Sequence, residues 1–317
     1  MLRYIVRRLL ELIPTTLGIL VLTFVLFHVV GGSPAEVVLG KNATKESIAA
    51  FNHKYGYDRP LILNFADERP VWDSQFCNFM LQLAKGDFGM STEYDEPVAN
   101  ILKRGVGPSL SLTVPILVVG TLVALSLALF CAAFRGRGAD RAILMMSTVL
   151  MSVNYVVWVL AGQFILAYKL KLFPIWGYAN VFYLALPVVL GVISSLGVDI
   201  RFFRTAILDE IYKPYVRTAR AKGLSDTVIL VRHVLRNSLI PIVTYISLSI
   251  PYLFTGSLML ESFFGIPGLG SVSLNAIHSA DMAVVRAVVV LGALLYQGVN
   301  LVTDLAYAAL DPRVRLG

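Results

Sequence analysis

Six stretches of this chain contain no Asp, Glu, Lys or Arg: residues 12–35, 105–134, 142–168, 172–198, 237–260 and the slightly shorter 287–303. An apolar run of roughly 18 or more residues can cross a bilayer as a helix, because a helix satisfies its own backbone hydrogen bonds where water is absent. The runs lack the period-two alternation that the strands of a closed β-barrel require. The sequence therefore predicts an all-α polytopic membrane protein of about six transmembrane helices. Composition agrees, with 57% hydrophobic and 15% charged residues, against about 25% charged in a soluble domain.

Between the spans the charges sort by side. Three Arg precede the first span, residues 135–141 carry a net +2, residues 199–236 a net +4, and the tail from Asp311 a net +1. The alternate segments carry −2 over 31–104 and −1 over 259–286, with Lys169 and Lys171 the one opposing pair. Basic segments stay in the cytoplasm, so both termini are expected inside, and the two lysines can snorkel from an adjacent interface. A nucleic-acid partner is not implied, because the overall charge of +7 is spread along one membrane face. Cys77 and Cys131 fall on opposite sides, which rules out a mutual disulfide or a shared metal.

The opening "MLRYIVRRLLELIPTTLGILVLTFVLFHVVGG" has a basic start, but its apolar stretch exceeds the about 7–15 residues of a signal peptide. It is expected to remain as the first helix, with Pro14 marking a bend. The expected layout is one membrane domain over 1–317. It comprises a first span at 9–30, an external insertion at 31–105, and a five-span core at 109–308 whose spans lie near 109–134, 142–168, 181–200, 238–258 and 284–308. Within the insertion, "TKESIAAFNHKYG" reads as a helix capped by Thr44, with Ser47, Ile48 and Phe51 on successive turns. The Gly- and Pro-containing "ESFFGIPGLGSVSLNAIHSADM" reads as a looped or re-entrant stretch.

Several short motifs fail on context. "DFG" at Asp87–Gly89 has no accompanying kinase elements. "GIPGLG" at Gly265–Gly270 and "GKN" at Gly40–Asn42 lack the rest of a phosphate loop. The four His, at 28, 53, 233 and 278, have no metal-ligand spacing, and "NAT" at Asn42 is only a formal glycosylation acceptor. Intramembrane charge would mark an ion path, but Glu11, Arg286 and Asp304 sit near span ends.

Chemistry concentrates instead in the cytoplasmic segment 205–236, where eight Lys and Arg lie between Arg201 and Arg236. Pro214 suits the first position of a helix, Tyr215–Lys222 contains no breaker, and Gly223 provides a left-handed stop. Ser225 can cap a second helix that carries Ile229, Arg232, His233 and Arg236 into the fifth span. Thr218, Ala219 and Ala221 leave a low surface ringed by Arg217, Arg220 and Lys222. That pattern suits a docking protein, and equally a basic helix held at anionic lipid.

"YVRTARAKGL…RHVLRNSLIP" resembles the cytoplasmic coupling segment of bacterial ABC-importer permeases, specifically the dipeptide/oligopeptide/nickel subclass. "MLRYIVRRLLELIPT" with "GGSPAE", "LAKGDFGMS", "ESFFGIPGLG" and "NLVTDLAYAALDPRVR" resemble further elements of that subclass in the same order. The places of the general Glu-Ala-Ala consensus hold Arg217, Thr218 and Ala219, and His233–Arg236 replace Ile-x-Leu-Pro, a variant common in the peptide-type subclass. "FADERPVWDSQFCN" has no counterpart in the family pattern.

The resemblance implies a type I importer permease in the bacterial cytoplasmic membrane. It would pair with a second homologous permease, receive substrate from an extracytoplasmic solute-binding protein, and bind no nucleic acid. Two cytoplasmic ATPases would dock on Tyr215, Val216, Arg217, Thr218, Ala219, Arg220, Ala221, Lys222, Gly223 and Leu224. The chain itself would be no enzyme and hold no cofactor, with ATP and magnesium in the ATPases. The expected cargo is di- or oligopeptides, with nickel or oligosaccharide as alternatives on the same machinery, and no substrate-contacting residue is assigned. Two other classes make distinct demands. A membrane hydrolase needs a nucleophile with an intramembrane base, and an ion-coupled carrier needs uptake that ignores ATP.

Overall fold

The computed structural model describes residues 2–30, 33, 35–40, 43–64, 70–250, 253 and 257–310. The described chain is mainly helical, and the only β-type pairing among the described residues is an isolated bridge between Met90 and Pro97. Five helices are long and apolar enough to cross a membrane, and a sixth span results if the bent pair Gly138–Ser152 and Tyr155–Lys169 is counted as one. Asn42, the "FADER" part of the insertion and the tail from Asp311 lie outside the described residues. The chain divides into two compact units, Met1–Pro108 with Pro267–Gly317, and Ser109–Ile266.

In the first unit the helix Leu2–Phe24 continues through a π-helical turn to Val30 and runs on past Pro14. It packs along the helix Met282–Leu310, where the Thr16 hydroxyl donates to Gln297 Oε1 at 2.6 Å. Leu20, Phe24, Phe79 and Val290 form one buried cluster. The insertion folds as expected around the helix Lys45–Tyr55: Thr44 accepts from the Ser47 N–H, Gly56 closes the helix with φ of 78°, and Phe51 is buried. A further helix, Gln75–Ala84, is capped by Ser74 and contributes Phe79 to the core.

"LAKGDFGMS" is a clasp rather than a loop for a ligand's metal. Asp87 accepts from the Gly89 N–H at 2.9 Å, and buried Ser91 donates to buried Asp281 at 2.5 Å. Asp281 also accepts from the Glu93 N–H and caps the last helix at the Val284 N–H.

In the second unit the spans differ from expectation in two places. Residues 142–168 were expected as one span, but the helix breaks at Val153 and Asn154 and turns by 90°. Asn154 takes an extended conformation and its side chain accepts from the Val156 N–H, so it starts a new helix where apolar neighbours on both sides hide the signal. The fifth span, expected at 238–258, begins earlier as the helix Asp226–Ser247, because the basic residues continue its helix without a break. The fourth likewise extends, from Val181 to Ile211.

Close packing holds this unit together. A Cβ on Gly197 would lie 2.7 Å from the Ser147 carbonyl oxygen, and one on Gly191 would lie 2.9 Å from Ile116 Cγ1. Small residues at helix contacts allow the backbones to approach, which is how helices associate where lipid removes the hydrophobic driving force. The expected looped stretch forms two short helices, Leu258–Phe264 in this unit and Leu269–His278 in the first unit. The former is stopped by Gly265 at φ of 66°, against which the Trp176 indole packs too closely for any side chain.

Candidate functional site

The cytoplasmic-type basic segment 205–236 folds as its residues dictate. Pro214 opens the helix Pro214–Ala221, and Lys222 and Gly223 return their N–H groups to Thr218 and Arg220 at 3.1 and 2.9 Å. Gly223 has φ of 76° with open space around its Cα, so conformation alone requires glycine there. Ser225 stands at the start of the next helix, but through its backbone carbonyl to the Ile229 N–H, with no side-chain capping bond.

The helix has two faces. Val216 and Ala219 are buried with Ile211, Ile229, Val234 and Phe203 in the unit's core. Arg217, Thr218, Arg220, Ala221, Lys222, Gly223 and Leu224 are exposed, and Tyr215 is half-buried. The low surface expected of Thr218, Ala219 and Ala221 is therefore shared out: Ala219 seats the helix, while Thr218 and Ala221 remain outward. The Tyr215 hydroxyl donates to Glu210 at 2.8 Å, and burial pushes its phenol pKa up. Arg220 pairs with Asp226 at 3.2 Å, an exposed contact worth little.

Beneath the helix lies a stronger bond. Arg204 meets Asp140 through two parallel hydrogen bonds of 2.8 Å each, and Asp140 also accepts from the Gly136 N–H at 2.9 Å. This bidentate pair ties the "RGRGADR" turn to the helix that leads into the coupling segment.

The same core reaches a cavity of about 370 Å³ among the spans. Hydroxyls and one acid line it, including Thr121, Ser194, Ser195, Asp199, Tyr245 and Ser249. The Tyr245 hydroxyl donates to Asp199 at 2.8 Å, and its ring stacks on Phe202 at 4.5 Å. At the other end Tyr155 and Ser257 hydroxyls lie 3.2 Å apart. Fully buried Glu261 accepts from Ser109 at 2.8 Å and from the Ser257 N–H at 3.0 Å.

Sequence reasoning missed Asp199, grouping it with the basic segment because the fourth span was expected to end at 200. Ser195 and Asp199, one helical turn apart, were the available signal. It missed Glu261 by treating its segment as a loop.

Comparison with known proteins decides what this arrangement belongs to. Residues 120–316 match the family described as "Binding-protein-dependent transport system inner membrane component", and residues 1–113 match the N-terminal family of the same membrane components. The chain belongs to this family. It is an ABC-importer permease of the peptide/nickel type. It is 32% identical over 317 residues to the glutathione transport system permease protein GsiC of Escherichia coli strain K12, covering 99% of both chains. Identity and coverage are the same to GsiC of Salmonella typhimurium strain LT2 and of Shigella dysenteriae serotype 1. The permease is thus a multi-pass inner-membrane transport subunit.

Proposed function

We propose that this permease forms, with a second homologous permease, the path by which short peptides enter the cell. An extracytoplasmic solute-binding protein delivers the peptide. Two cytoplasmic ATPases, which hold the ATP and magnesium, dock on residues 215–224. The peptide reading is supported by the relatives, which are glutathione transport permeases, glutathione being a peptide. Among the described residues the cavity lining contains neither histidine nor cysteine, the ligands a nickel path would favour. The charge distribution supports cytoplasmic termini.

One observation carries the mechanism. Val216 and Ala219 are packed in the same buried cluster as Leu196, Ile200 and Phe203, and those residues share a helix with Ser195 and Asp199 of the cavity wall. A close-packed cluster transmits displacement rather than absorbing it. Closure of the ATPases against the exposed rim would therefore tilt the cavity wall, a rigid-body switch between two states.

The test uses the reconstituted complex. Ala221→Trp and Thr218→Trp place bulk on the outward face and should remove ATPase-subunit retention and alanylalanine uptake together, while the permease still inserts. Arg220→Ala, which removes one exposed charge, should retain both. If both Trp variants keep retention and uptake while Arg220→Ala fails, the segment is a lipid anchor and the docking reading is wrong.

A further inference from the structure

A second cavity, of about 460 Å³, lies within the first unit beside the insertion. Helices Lys45–Tyr55 and Gln75–Ala84, the Asp87–Met90 turn and the adjoining ends of the first and last long helices enclose it. Its volume is that of a small-molecule site, and its polar groups are unevenly satisfied. The rim charges are paired, Lys54 with Asp95 at 3.5 Å and Arg59 with Asp73 at 3.4 Å. Asp87 is engaged by the Gly89 N–H.

Arg286 is different. Its guanidinium stands over the Phe79 ring at 5.2 Å, and Nη1 lies 2.9 Å from His28 Nε2. Arginine only donates, so His28 accepts through Nε2 and is neutral there. It supplies no negative charge. Among the described residues no carboxylate forms an ion pair with Arg286. Gly89, at φ of 85°, lies beside the guanidinium, a Cβ there reaching ordinary contact distance of Arg286 Nη2.

Three atoms lining the cavity are buried without a hydrogen-bond partner among the described residues: the Thr92 hydroxyl oxygen, Gln75 Oε1 and His28 Nδ1. The Gln75 amide nitrogen is held by the Tyr57 and Arg59 carbonyls at 3.1 and 2.7 Å, which fixes Oε1 as the free acceptor. A buried polar group left unsatisfied is costly, and an unpaired cation more so.

We infer that this cavity binds the free carboxylate of a small solute, with Arg286 as its counter-ion. The Thr92 hydroxyl donates a second hydrogen bond to the carboxylate, and Gln75 Oε1 accepts from an N–H of the same solute. A cation, a hydroxyl donor and a single acceptor are the complement of the C-terminal end of a short peptide. The choice of peptide as ligand rests on the function proposed above, whereas the carboxylate preference stands on the cavity alone.

The experiment is calorimetric titration of the purified full-length permease in lipid nanodiscs with alanylalanine and with its C-terminal amide. The acid should bind at least about tenfold more tightly than the amide, the size expected of a charge-assisted hydrogen bond. Arg286→Gln should remove that preference, Arg286→Lys should keep part of it, and Thr92→Ala should weaken acid binding several-fold. Lys103→Gln, a distant surface change, should match the parent. If Arg286→Gln fails to fold, the acid-to-amide ratio of the parent and the Thr92→Ala result decide the matter.

Equal affinity for acid and amide, absence of acid binding, or full acid preference in folded Arg286→Gln each overturn the site. Acid-selective binding without alanylalanine uptake by the assembled transporter keeps the site and rejects the peptide reading. Uptake without acid-selective binding rejects the site alone.

Discussion

Asp140→Ala should cost more than any surface charge in this chain. The Asp140 side chain is 2% exposed and that of Arg204 20%, so removing the acid strands a guanidinium with little access to water. It also leaves the Gly136 N–H without its acceptor. Removing one member of a buried pair costs about 3–5 kcal/mol, and the partial exposure of Arg204 places this case nearer ~2–3 kcal/mol. At about 2–4 °C per kcal/mol for a chain of comparable size, apparent melting in detergent at a fixed scan rate should fall by roughly 5–10 °C.

The decisive comparison is with Arg204→Met and the double variant. Replacing both members with apolar groups removes the stranded charge, so the double variant should melt above Asp140→Ala alone, with a coupling energy on the order of 1–3 kcal/mol. Because the pair anchors the helix leading into the coupling segment, ATPase-subunit retention should fall in Asp140→Ala and recover in part in the double variant. Strictly additive single effects, or retention unchanged in Asp140→Ala despite a lowered melting temperature, would refute the claim that this pair holds the coupling segment in place.

Gly197→Ala should lower apparent melting by several degrees, since its methyl would meet a backbone carbonyl that cannot rotate away; overpacking of this kind costs about 1–3 kcal/mol. Gly223→Val has open space and so carries only left-handed backbone strain, about 1–2 kcal/mol, and should lower ATPase retention more than melting temperature, read on the same preparation. With Cys77 and Cys131 replaced by Ala, Lys85→Cys on the exposed insertion should react with an impermeant maleimide on intact spheroplasts; reaction only after permeabilisation reverses the proposed orientation. Asp199→Asn keeps an acceptor for Tyr245 and should retain ATP-dependent uptake within about an order of magnitude, a loss comparable to one hydrogen bond.

The spans were legible because they answer to one strong physical rule. Lipid cannot satisfy a backbone hydrogen bond, so uncharged length translates into helix almost without regard to tertiary context. The stop at Gly223, the start at Pro214 and the cap at Thr44 were legible for a similar reason, each being a local backbone demand. What stayed hidden depends on partners distant in sequence. Nothing around Asp140 announces Arg204, and nothing around Ser91 announces Asp281. The break at Asn154 was masked by apolar residues that serve either a straight or a bent helix. Ala219 illustrates the limit in the coupling segment itself. Its small size was correctly noted, but whether a small residue makes an outer surface low or lets a helix sit close to its own core is a question of which way it faces. Ser74 is a similar case: a polar residue that could equally face water, it is buried as a helix cap.

The placement of ionisable groups among the spans bears on where the energy for transport enters. An ion-coupled carrier moves its ion by changing the protonation or coordination of carboxylates that face its path. In the second unit the cavity lining contains one carboxylate, Asp199, and the Tyr245 hydroxyl already bonds to it. Glu261, the other deeply buried acid, accepts a backbone N–H and a serine hydroxyl near the start of its own helix. By contrast, the basic, exposed rim of Pro214–Ala221 is joined to the cavity-wall helix through the buried side chains of Val216 and Ala219 and through the Tyr215 hydroxyl, which donates to Glu210 at 2.8 Å. Displacement of the exposed face of Pro214–Ala221 can therefore reach the cavity as movement of a packed body. That asymmetry favours a permease driven from its partners' surface over a carrier driven by ions within its own spans.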